Sequence, residues 1–161
     1  MVAPIVITAL AYLHVLAAMG WLGGAILFVS SIAPGLRSLS PTASLEFLAK
    51  VGPRATRFFV GTATGTIVFG LALLGVVPGL FETSLMVGVG IGLIAYITAI
   101  ITMLSFRKAD HIAKQTLARG QAGPPPPELA KALKRGGIAV AITVLLLIIA
   151  LMFMVVTGFP F

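Results

Sequence analysis

His14 is the only side chain able to change charge near neutral pH within the four long apolar runs of this chain, and it lies near the middle of the first. An ionisable group in hydrocarbon is costly, and such residues mark functional sites by default. On a helix, the positions that share its face are Ala17, Ala18, Trp21 and Ala25. That face reads as a clearing of small side chains closed by one indole, widened by Gly20, Gly23 and Gly24. A planar macrocycle needs such a clearing, and haem iron accepts an axial imidazole. His14 is therefore the candidate metal ligand, with Ala17, Ala18 and Trp21 as candidate cofactor-binding neighbours and haem b as the cofactor. Copper is the alternative, because imidazole binds it and Met19, Met86, Met103, Met152 or Met154 could add a soft ligand. A third reading needs no cofactor: His14 donates to a backbone carbonyl or a Thr hydroxyl of a neighbouring helix and serves packing alone.

Other chemistry is sparse. With no cysteine, thiolate catalysis, disulfides and Cys-ligated metal sites are excluded. The sequence holds no paired carboxylates for hydrolysis, no nucleophile–base pair and no phosphate-binding glycine loop. Glu82 reads as a solvated loop residue. His111, set among Arg107, Lys108, Asp110 and Lys114, reads as a solvated helix face. On this reading the bundle contains no buried carboxylate, which argues against a proton-coupled exporter. Whether the protein is an enzyme stays open.

Composition fixes what must position His14. The 161 residues are 59% hydrophobic and only 9% charged, against about 25% charged in soluble domains. The apolar runs, 4–32, 58–77, 84–106 and 137–157, each reach the roughly 20 residues that cross a bilayer as a helix. All 11 Lys and Arg fall around the first and third connections, and the second connection has none. Basic connections stay cytoplasmic. The expected fold is thus an all-α integral membrane four-helix bundle, one domain over 1–161, with both termini outside and multiple passes through the plasma membrane. The net charge of +7 is a topology signal toward the lipid bilayer, not a nucleic-acid footprint.

Local signals refine the connections. Ser40 followed by Pro41 is an N-cap with Pro at N1. Segment 41–51, with Leu45, Leu48 and Ala49 on one face, suggests a helix lying on the inner membrane surface. Thr83 is placed to cap the third helix. No breaker follows until Gly120, so that helix should run on past the membrane. Prolines 124–127 force a turn, and Glu128 opens the helix feeding the fourth span. Stalks 107–119 and 128–135 should form a cytoplasmic helical hairpin. Gly61 with Gly65, and Gly88, Gly90 and Gly92, read as close-packing devices within the bundle or between protomers.

Leu13-His14-Val15, then Gly20-Trp21-Leu22-Gly23-Gly24, Pro34 and Arg37, resemble the first helix of the CopD/HemJ-like membrane superfamily. Residues 51–57, Val-Gly-Pro-Arg-Ala-Thr-Arg, leading to a helix with Gly70, are similar to the basic entry of that family's next helix. The resemblance covers about residues 1–75. It implies a helical bundle and, for the HemJ branch, a haem held by the first-helix histidine, here His14. A two-fold homodimer would bring two copies of His14 to one group. The expected function is a membrane haem b protein with a redox or haem-related role. The alternatives are a copper or small-solute transport subunit, and a structural membrane protein without cofactor.

Overall fold

The computed structural model describes residues 3–77, 82–120 and 126–158, and among these the ordered elements are all helical. Four long helices account for them: α1 (Pro4–Ser38), α2 (Pro41–Val76), α3 (Thr83–Ala118) and α4 (Pro127–Gly158). All four are long and apolar enough to cross a membrane. Their outward surface agrees: Met19, Ile97, Leu145 and Met152 are each more than half exposed. Soluble monomers rarely leave so continuous an apolar surface open to water.

Sequence-adjacent helices pack against each other, and α1 closes the ring against α4. The α1–α2 seam is antiparallel and built from small residues. The imidazole of His14 lies on Gly70, Ala17 on Gly65, the methyl of Thr62 on Gly20, and the rings of Phe58 and Phe59 on Gly24. The α3–α4 seam has the same logic. Gly88 admits Phe153 and the Ala150 carbonyl, Thr98 bonds to Thr143 at 2.7 Å, and Gly136 lies under the ring of Phe106. Lipid is as apolar as a leucine, so close backbone approach and interhelical hydrogen bonds supply the cohesion. Gly61 and Gly90 take no part in these approaches, because a side-chain carbon at either would meet open space.

Helix ends follow the sequence signals with one exception. Ser40 Oγ accepts from Ala43 N at 3.3 Å, and Ser44 Oγ donates to the Leu36 carbonyl at 2.9 Å, which ties the turn between α1 and α2. Gly120, with φ of 61°, ends α3 in the left-handed conformation that glycine tolerates best. α4 begins at Pro127, one residue before Glu128. The exception is Thr83, which is the first residue inside α3; the cap position belongs to Glu82, and its side chain makes no capping bond. The end of α1 passes through a π-helical turn, Phe28–Ile32, next to the edge-on contact of Phe28 with Phe106.

Segment 41–51 departs from expectation. It is not a separate surface helix but the opening turns of α2, which continues through Pro53 to Val76 without a break. Its apolar face meets protein: Leu45 and Leu48 are buried with Ala109, Ala113, Leu129 and Ala132. The stalk segments of α3 and α4 pack on each other as a hairpin, and the first turns of α2 join them in a three-helix cluster with its own core. A second core, nearer the middle of the bundle, gathers Trp21, Ala63 and Ala95.

Candidate functional site

His14 is half-buried between α1 and α2. Its Nδ1 lies 2.8 Å from the Thr66 carbonyl oxygen. A carbonyl can only accept, so Nδ1 carries the proton and donates it. Gly70 leaves room for the ring: a Cβ there would lie 2.8 Å from Cε1 and 2.9 Å from Nδ1. The ring is thus fixed in place, and the tautomer is fixed with it. In a neutral imidazole the other nitrogen, Nε2, then keeps its lone pair. Metal-bound histidines are oriented in this way, through an Nδ1–H bond to a carbonyl.

Of the residues expected around His14, Ala17 lies on the same α1–α2 seam and Trp21 is turned into the core. Ala17 packs on Gly65, so α2 occupies the clearing that α1 presents. Ala18 is half-buried. Trp21 is 2% exposed and turned into the central core, edge-on to Tyr96 at a centroid distance of 6.3 Å. Against a haem, the donor atom fits, while the small-residue clearing within one chain is already filled by helix packing. His14 alone is carried forward as a ligand. Among the described residues no three His, Cys, Asp or Glu side chains cluster to hold a metal ion.

A second site escaped the sequence reading. A cavity of about 160 Å³ lies between the helices, with Trp21, Phe28, Phe59, Tyr96 and Phe106 among its walls and Asp110 at its stalk end. Asp110 does not share the solvated face of its neighbours: it is 6% exposed, whereas His111 and Lys114 are open. It packs directly on Gly52 of α2. Its Oδ1 is the buried side-chain polar atom that lacks a hydrogen-bond partner among the described residues. Such a group costs about 1–3 kcal/mol. The expectation of a bundle without a buried carboxylate is therefore corrected, because the residue that looked like part of a charged surface faces the interior.

Asp110 lies one turn beyond the apolar run 84–106. Burial pushes its carboxyl above the ordinary carboxylate range, and the nearby Lys114 charge pulls it part of the way back. A raised folded-state pKa means the folded protein holds the proton after the unfolded chain has released it. The stability that goes with this is complete in acid and is lost as pH rises through the folded pKa. The melting temperature of Asp110→Asn minus that of wild type should therefore increase from about pH 4 toward neutrality. A difference that stays constant with pH would place the carboxyl in water.

No family model, curated protein or solved structure matches this chain.

Proposed function

We propose that this is a multi-pass membrane protein that holds a b-type haem through Nε2 of His14. One observation carries the reading: the 2.8 Å contact from Nδ1 to the Thr66 carbonyl orients the ring and, in a neutral imidazole, leaves the lone pair on Nε2. The resemblance of residues 13–24 to the CopD/HemJ-like first helix points the same way. When bound, the haem supplies redox or gas-binding chemistry. The part of the protein is to hold the ring, fix its tautomer and keep water from it. A second copy of the chain would offer a second His14 by two-fold symmetry.

The test is spectroscopic. Protein expressed with ample haem and purified in detergent should show a Soret band, and His14→Ala should lose it while eluting at the same volume on size exclusion. Loss of one interhelical hydrogen bond costs only about 1 kcal/mol, so the fold should survive. A colourless wild type, or a coloured His14→Ala, would leave His14 as an interhelical packing donor.

The same proposal places both termini outside the plasma membrane and the basic stalk in the cytoplasm, on the distribution of Lys and Arg. Gly79→Cys should react with an impermeant thiol reagent on intact cells, and Gln121→Cys should not. Both positions lie outside the described residues. The opposite labelling pattern would invert the orientation.

The cavity bordered by Asp110 favours a second reading, a site for a small apolar solute within the bundle.

A further inference from the structure

The cavity volume of about 160 Å³ is close to that of an engineered core cavity of about 150 Å³ that takes benzene. Most of its polar wall groups are already committed. Thr64 and Tyr96 bond to each other at 3.0 Å, Thr102 donates to the Thr98 carbonyl, and Thr143 donates to the Ala139 carbonyl. Asp110 is different: it borders the cavity, and its buried Oδ1 has no hydrogen-bond partner among the described residues. An apolar guest would fill the volume and leave that oxygen bare. A guest with a cationic N–H group would fill it and satisfy the oxygen through a charge-assisted bond. The walls also hold Trp21, Phe59 and Tyr96, side chains of the kind that attract cations.

Among the described residues no cationic side chain forms an ion pair with Asp110. The ion pair among the described residues is Lys50 with Glu46, on the surface of α2. Lys114, one turn along α3, is exposed, as are Arg37 of α1, Arg54 of α2, and Lys131 and Lys134 of α4.

We propose that this cavity binds a small lipophilic amine, with the bulk of about one ring, held by pairing of its ammonium with the Asp110 carboxylate. The inference rests on the small-solute reading of the cavity and is independent of His14. Below the raised pKa of the carboxyl, its proton leaves when the ammonium enters, so one positive charge replaces another. The site then holds either a proton or an organic cation.

Benzylamine is the probe, measured by isothermal titration against protein in detergent micelles, with empty micelles as the blank. Wild type should bind it saturably, one per chain, tighten its binding as pH rises through the raised pKa of the Asp110 carboxyl, and release protons when it binds below that pKa. Asp110→Asn should weaken benzylamine binding at least tenfold and leave toluene, which has the same ring without the ammonium, bound as in wild type. If Asp110→Asn does not fold, Ala99→Phe provides the test: it fills the cavity from the α3 wall, keeps the carboxyl and should abolish benzylamine binding. Wild-type binding no greater than that of empty micelles would overturn the proposal. So would undiminished binding by either variant. His14→Ala should bind benzylamine as wild type does, so failure here leaves the His14 reading intact.

Discussion

Replacing Trp21 by alanine should destabilise the bundle by about 3–5 kcal/mol, the cost typical of removing a buried aromatic side chain. Trp21 is the largest fully buried side chain among the described residues. It reaches from α1 to Tyr96 on α3, two helices that are not neighbours in the ring, so it holds the centre of the bundle together. It also forms part of the cavity wall, and its loss would enlarge an existing void that the surrounding helices cannot close. In a bilayer the cost comes from lost packing, since lipid solvates the exposed surface about as well as protein does. Denaturation with SDS, followed by circular dichroism in mixed micelles, measures it. Trp21→Phe should cost less than half as much. A loss under about 1 kcal/mol for Trp21→Ala would mean that the indole does not fill the core. The same pair of variants bears on the haem reading: because Trp21 faces the core, Trp21→Phe should leave the Soret maximum where it is.

The sequence was most informative where one residue type decides local structure by itself. Long apolar runs give helices that fit a bilayer, Ser40 with Pro41 starts α2, and Gly120 stops α3. It was least informative where the partner is distant. The stripe of Leu45, Leu48 and Ala49 records an apolar face but not what covers it, and lipid and the stalk helices would select the same residues. Pro53 sits inside α2, since a proline within a helix removes one hydrogen bond and does not have to end it. Asp110 was hidden by its neighbours, because four charged or titratable residues within a turn of it imply water. One signal was available: Ser105, Ala109, Ala113 and Thr116 form a small-residue stripe along α3, all buried, and Asp110 borders it. For His14 the residue type and its hydrogen bond were legible. The use of the small clearing by α2 was not, because the same small side chains admit a macrocycle or a helix backbone.

Gly52→Ala should drive the Asp110 carboxyl from its seat and cost about 1–3 kcal/mol, the range for overpacking a close-packed site. A Cβ at position 52 would collide with Oδ1 and would lie 2.6 Å from Cγ and 2.9 Å from Oδ2. Real side-chain carbons do not come that close, so either the carboxyl turns away or α2 and α3 separate. The collision involves the whole carboxyl group, which makes it specific to this pair. Asp110→Ala removes the obstacle, and the double variant should lose less stability than the two single variants together. The expected coupling is about 1–2 kcal/mol, within the range for residues in direct contact. Separation of the helices would also loosen the stalk core around Leu48 and Ala109 and speed amide exchange along 105–116. A carboxyl that merely turned away would leave exchange there unchanged. Strict additivity in the cycle would mean that Asp110 does not rest on Gly52, and the buried carboxyl at the cavity end would then lose its structural basis.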